Sequence, residues 1–228
     1  MDKKIIRKEN TMSEKMMFFG KYFLLILNGY LIGSILFGYL VTKLIKHVDT
    51  IKDSDDHTPG IANAFKLGGL SCGIIAVVLE LLKGFLPVYI ATFFVNPDDY
   101  LFILVMLAPV VGHAYPLYYG FKKGGKCIAA SFGVFLGLIP NLLPVLILAF
   151  WFIFFSLVLI INPHALRTVV TYICWMVTMI FATIFIIKSI PILLSTILVG
   201  AMVIFRHNKA LKEIEEKEIK FIFKRGLT

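Results

Sequence analysis

Long apolar runs dominate the chain, and polar positions fall between them in short clusters. Uncharged stretches extend over Tyr22–Thr42, Tyr100–Phe121, Cys127–Leu166, Thr168–Ile187 and Ser189–Phe205, and another over Leu67–Pro97 is interrupted only by Glu80 and Lys83. Each approaches or exceeds the ~20 residues a helix needs to cross the hydrocarbon of a bilayer. Cys127–Leu166 has roughly twice that length, and Pro140-Asn141 with Pro144 supplies a turn in its middle. The expected fold class is all-α, a polytopic membrane protein with about seven transmembrane helices. The apolar residues run continuously instead of alternating, which argues against a membrane β-barrel. The expected organisation is a flexible basic N-terminal tail (1–21), a seven-helix membrane domain (22–207) and a charged C-terminal tail (208–228).

The positive charges orient these spans. Lys46, Lys52 and Lys66 follow the first, Lys122, Lys123 and Lys126 the third, and Arg206, Lys209, Lys212, Lys217, Lys220, Lys224 and Arg225 the last. Connections of the other parity, Asn96–Asp99 and Pro140–Pro144, carry no Lys or Arg, so the basic loops are expected on the cytoplasmic side and the N-terminus outside. The basic N-terminal tail opposes that orientation, and the loops together outweigh it. In the C-terminal tail, Lys209–Lys224 suits either an amphipathic surface helix or a solvated segment.

Composition agrees. With 59% hydrophobic and 16% charged residues, the chain has too few polar side chains to cover a water-facing surface, and a disordered chain needs the opposite balance. The net charge of +9 comes from 23 Lys and Arg residues lying mostly between spans, so it is explained by topology and no nucleic-acid partner is expected. Cys72, Cys127 and Cys174 sit in apolar surroundings without metal-ligand spacing and read as small packed side chains.

Chemistry concentrates in two loops. In Ile51–Lys66, Pro59-Gly60 forms a turn and Asn63 and Lys66 lie at the start of the next helix, where orphan N–H groups and a cation suit a phosphate. In Gly112–Lys126, the Gly124-Gly125 pair allows close backbone approach and Lys126 adds a charge beside a helix start. The first Gly and the Ser or Thr of a Walker A loop are missing. Capping residues and topogenic lysines are the plainer account of both loops. Glu80 and Lys83, three apart on one helix face, read as an intramembrane pair that either fixes packing or lines a pathway.

Taken in order, these segments resemble the acyl-phosphate-dependent glycerol-3-phosphate acyltransferase family of bacterial inner membranes, from Tyr30 to about Lys217. Tyr30–Gly38 resembles the opening Y-L-x-G-S-I-P-F-G with Leu36 for proline, Leu79–Val88 is similar to the helix 2 signature, and Gly112–Lys126 resembles G-H-x-F-P-x-x-x-x-F-K-G-G-K-G. The resemblance implies transfer of a fatty acyl group from acyl phosphate to glycerol 3-phosphate, giving lysophosphatidate for phospholipid synthesis. It implies Ser34, Gly60, Asn63, Lys66, His113, Gly124, Gly125 and Lys126 as substrate-binding residues and His207 as the catalytic one. No metal or organic cofactor is expected; the partners are the two small-molecule substrates and membrane lipids, the location is the inner membrane, and the chain is expected as a monomer.

The chain departs from the family's first loop, G-S-G-N-x-G-A-T-N-x-x-R. Asp56 stands at the phosphate-binding serine, His57-Thr58 replace Gly-Asn, Ala62 replaces Thr and Lys66 replaces Arg. Lys123 is inserted in the second motif and Cys127 replaces its last glycine, while the third motif keeps Arg206-His207 but has Ala210 and Glu213 for Asn and Arg. A carboxylate repels a phosphate, and Lys lacks the bidentate fork of Arg. These changes fit a diverged acyltransferase with an altered acceptor or a paralogue without the reaction. The alternative class is a lipid- or ion-translocating protein, in which Glu80 and Lys83 face a hydrated passage.

Overall fold

The computed structural model describes the backbone of residues 3–212 and 218–221, and side chains over most of that range. Nine helices follow in order among the described residues: α1 Lys3–Gly33, α2 Phe37–Lys46, α3 Thr50–Asp53, α4 Ile61–Ala91, α5 Phe102–Ala114, α6 Ile128–Leu136, α7 Leu143–Ile153, α8 His164–Ala182 and α9 Ile190–Lys212. A π-helical turn, Phe154–Val158, extends α7, and Thr183–Ile187 extends α8 in the same way. A two-stranded antiparallel sheet pairs β1 (Leu159–Asn162) with β2 (Glu218–Phe221), Leu159 opposite Phe221.

Among the described residues, five helical segments are long and apolar enough to span a membrane: Met12–Gly33, Ile61–Ala91, Phe102–Tyr119, His164–Ile187 and Ile190–Asn208. Leu143–Val158 is a shorter apolar helix. The all-α polytopic class therefore holds, but the expected seven full spans do not all appear. The expected span from Cys127 ends at Leu136 after 9 helical residues, about 13 Å at 1.5 Å per residue, well short of the ~30 Å hydrocarbon. Its apolar sequence is spent on protein contact: Ala130, Val134 and Phe135 are buried, and Phe135 meets the Trp175 ring edge-on at 4.8 Å. A Cβ on Gly84 would strike the Ala130 carbonyl, so α4 and α6 touch backbone to backbone as small residues permit.

The first expected span, Tyr22–Thr42, is two helices. The chain breaks over Ser34–Leu36, and the groups freed there are met from α4: Glu80 Oε1 accepts from the Phe37 and Gly38 N–H groups at 3.0 and 3.4 Å, and Lys83 Nζ donates to the Ile35 carbonyl at 2.6 Å. Non-helical backbone at membrane depth survives only when protein satisfies it in this way. Residues 3–21, expected as a flexible tail, form the first turns of α1. Within α4, Gly69 (φ 78) kinks the helix.

The buried core joins Phe102, Met106 and Val110 of α5, Tyr172, Trp175 and Met179 of α8, and Val199 and Val203 of α9. Large apolar side chains such as Leu70, Phe181 and Phe185 are exposed, as lipid-facing positions must be. Tyr22 Oη donates to Asp99 at 2.8 Å, whereas Tyr30, two turns on, donates to the Tyr115 carbonyl at 2.9 Å. The N-terminal part of α1 thus extends past the end of the bundle that carries Asp99, and the lysine-rich loops lie at the other end. The C-terminal segment is neither one amphipathic helix nor unpaired throughout, since α9 continues to Lys212 and residues 218–221 form β2.

Candidate active site

The loop from α2 to α4 is shaped by its own polar side chains. Asp49 caps α3, accepting from the Ile51 and Lys52 N–H groups at 3.2 and 3.1 Å. Asp56 forms an Asx turn with the Thr58 N–H at 3.3 Å, and its Oδ1 also accepts from Thr58 Oγ1 at 2.9 Å and Asn63 Nδ2 at 2.7 Å. Asn63, largely buried in the first turn of α4, binds the Thr58 carbonyl at 2.8 Å as well. Gly60 is the α4 N-cap with ordinary extended backbone, and a Cβ there would meet only Thr58 Oγ1 at 3.6 Å. Lys66 is exposed and pairs with Asp55 at 2.5 Å.

The second loop docks onto the first through a contact 70 residues apart in sequence, Lys126 Nζ to Asp56 Oδ2 at 2.8 Å. Lys126 is half-buried just before the α6 start, while Lys122 and Lys123 are exposed and have no side-chain partner among the described residues. Burial alone would raise the Asp56 carboxyl, but hydrogen bonds from Lys126 and Asn63, the Lys126 charge and the Thr58 bond outweigh it and hold the group well below the usual carboxylate range. The substituted residue is thus a bound anion, and the candidate phosphate donors Asn63 and Lys126 already point at it.

Gly124 and Gly125 are both present in this cluster, for a different reason from the one expected. A Cβ on Gly125 would fall on the His113 ring and one on Gly124 on the Ala114 carbonyl, so the pair is needed to pack against the end of α5. The Gly125 N–H is taken by the His113 carbonyl at 3.0 Å, and the two glycine carbonyls accept from Arg206, at 2.5 Å from Nη2 and 3.1 Å from Nε. The backbone here is a receiver for an arginine. Arg206 also lies over the Tyr115 ring at 5.6 Å, and this anchors the end of α9 to the loop.

His207, the next residue, is buried; its Nδ1 lies 2.8 Å from the Val203 carbonyl and its Nε2 is buried without a partner. A carbonyl at Nδ1 requires the proton there and leaves the lone pair on Nε2. His164, in the first turn of α8, stacks on His207 with ring centroids 6.5 Å apart, and Arg167 one turn on has an unpaired buried Nε. Sequence reasoning missed both. The available signal was Arg167 as the lone charge separating two apolar runs, three residues after His164.

His113 and Ser34 lie behind this surface. His113 Nδ1 accepts from Lys83 Nζ at 2.7 Å and lies 3.2 Å from Glu80 Oε2. Lys83 and Glu80, each 2% exposed, pair at 2.7 Å. Lys83 Nζ is hydrogen-bonded to His113 and to the Ile35 carbonyl and ion-paired with Glu80, which makes the pair a tie between α4, α5 and the α1–α2 break. It is buried among protein side chains. Ser34 is fully buried, and its hydroxyl is committed to the Tyr30 carbonyl at 2.8 Å.

Residues 23–217 match the family model described as glycerol-3-phosphate acyltransferase. Curated proteins of that name are similar along most of their length. One from Endomicrobium trichonymphae is 33% identical over 82% of this chain and 89% of its own, and one from Staphylococcus saprophyticus 32% identical over 87% and 98%. Among solved structures, PlsY (YgiH), an integral membrane glycerol 3-phosphate acyltransferase, superposes in its glycerol 3-phosphate form with a TM-score of 0.74 at 27% identity, over 91% of this chain and 99% of that one. Its lysophosphatidic acid form gives 0.69 at 28% identity, over 84% and 90%. With its helices apolar enough to span a bilayer, its three motif segments gathered at one end and this match over most of its length, the chain belongs to the glycerol-3-phosphate acyltransferase family.

Proposed function

We propose that this protein transfers a fatty acyl group from acyl phosphate to glycerol 3-phosphate, giving lysophosphatidate and phosphate. The observation that carries it is the convergence of Asn63, Lys126 and the Arg206-His207 end of α9, from three distant segments, on one patch at one end of a membrane bundle. The acceptor hydroxyl oxygen bonds to the acyl carbon, the bond from that carbon to the oxygen bridging it to phosphorus breaks, and phosphate leaves with the electron pair of that bond. Acyl phosphate is already activated, so orientation and charge stabilisation suffice without a covalent enzyme intermediate. Lys126 meets phosphate charge, Asn63 and Lys66 hold the acceptor's phosphate, and His207 Nε2 takes the hydroxyl proton.

The location supported by the basic loops is the cytoplasmic membrane with the patch on its cytoplasmic face, where the protein acts as a monomer among membrane lipids. The test is purified protein with acyl phosphate and radiolabelled glycerol 3-phosphate. Labelled lysophosphatidate is expected from the parent, with at least a hundredfold less from folded His207→Ala, within the usual 10²–10⁴ contribution of a positioned base. A folded parent that makes no product overturns the proposal.

A further inference from the structure

Asp56, which stands where the resemblance places a phosphate-binding serine, is held in the patch from both of its carboxylate oxygens. Asp56 receives Lys126 on one carboxylate oxygen and Asn63, Thr58 N–H and Thr58 Oγ1 on the other. Lys126 and Asn63 are the groups assigned above to substrate phosphate, so carboxylate and phosphate compete for the same donors. The Lys126–Asp56 pair is partly open to solvent, with side chains 35% and 44% exposed, so an incoming anion can reach it.

Building on the acyltransferase reading, we propose that Asp56 is a resident anion in the phosphate cradle, which holds the two loops together when substrate is absent and must be displaced by substrate phosphate. Asp56 then sets phosphate affinity and is a specificity-determining residue. The binding-competent state is the one with the carboxylate swung out, and apparent affinity falls by the fraction of molecules in that state. A serine there would leave the donors free. Which phosphate does the displacing follows from which oxygen gives way: loss of the Oδ2 contact frees Lys126 for the donor's phosphate, and loss of the Oδ1 contacts frees Asn63 for the acceptor's.

The experiment compares full-length parent, Asp56→Asn, Asp56→Ser and Asp98→Asn in detergent micelles. Each is measured for kcat, for KM toward acyl phosphate and toward glycerol 3-phosphate, and for the inhibition constant of inorganic phosphate. The amide of Asp56→Asn keeps an acceptor for the turn and removes the charge, and Asp56→Ser provides the second variant should the first fold poorly. Both are expected to lower the inhibition constant about tenfold, as for a closed state outnumbering the open one by ten, with the effect on KM larger than on kcat. A lowered KM for acyl phosphate supports displacement by the donor, and one for glycerol 3-phosphate supports displacement by the acceptor. Asp98→Asn is expected to shift inhibition by less than about twofold, because Asp98 is exposed in the connection between α4 and α5, at the end of the bundle away from the lysine-rich loops, and its charge is screened.

Active Asp56 variants with unchanged or weaker phosphate inhibition overturn the inference and leave the acyltransferase proposal standing. Equal shifts from Asp98→Asn and Asp56→Asn also overturn it, since net charge alone would then account for them. Failure of every folded protein, parent included, to form lysophosphatidate overturns both.

Discussion

Lys83→Met removes one ammonium from the centre of the structure while keeping a side chain of similar length and volume. In the parent that nitrogen lies 2.7 Å from Glu80 Oε2, 2.7 Å from His113 Nδ1 and 2.6 Å from the Ile35 carbonyl, with both charged partners almost wholly buried. After the change, Glu80 keeps the Phe37 and Gly38 N–H groups but faces no lysine cation, and breaking a buried pair from one side costs about 3–5 kcal/mol. Glu80→Gln alone strands Lys83 and uncaps part of α2, at a similar cost. The double variant leaves neither charge unpaired, so its loss should fall short of the summed single losses by at least about 2 kcal/mol. The assay is reversible unfolding in mixed micelles, fitted for all four corners of the cycle. Additivity within about 0.5 kcal/mol would refute the reasoning, because the α1–α2 break would then be held by something other than this pair.

Gly125→Ala places a methyl on the His113 ring and should cost about 1–3 kcal/mol in the same unfolding assay, whereas Gly60→Ala, with room for its Cβ, should stay within about 0.5 kcal/mol. Lys126→Ala should raise KM for acyl phosphate by about 10-fold to 150-fold, the equivalent of one charged hydrogen bond, and Lys122→Ala by less than about twofold. The Asp56 carboxyl is depressed in the folded state, so the stability it contributes is present above its unfolded pKa near 4 and is lost as pH falls through the folded value. The difference in Tm between parent and Asp56→Asn should therefore be constant from pH 5 to 8 and shrink below about pH 4.

The membrane class was legible because long apolar runs admit few alternatives. Individual span lengths were less so. The break at Ser34–Leu36 depends on Glu80 and Lys83 in a helix more than forty residues away, and no local signal near Leu36 reports that partner. The half-length α6 hides for a related reason: protein-facing and lipid-facing apolar residues look alike in a run from Cys127 to Leu166, and only the Pro140 turn separates them. In the patch, motif spacing singled out Asn63, Lys126 and His207, of which Asn63 and Lys126 meet on the Asp56 carboxylate. It misjudged Asp56, because a carboxylate opposed to bound phosphate is repulsive, yet without phosphate it is the natural counter-ion of Lys126. The packing role of Gly124-Gly125 needed the position of His113, which sequence distance does not give.

The central claim is group transfer from acyl phosphate to glycerol 3-phosphate. The most direct measurement is the ratio of inorganic phosphate released to lysophosphatidate formed, with purified protein and those two substrates alone. One phosphate for each lysophosphatidate, and no phosphate release when glycerol 3-phosphate is omitted, is the predicted result. Phosphate release that does not depend on the acceptor, or a folded protein that turns over neither substrate, would contradict it.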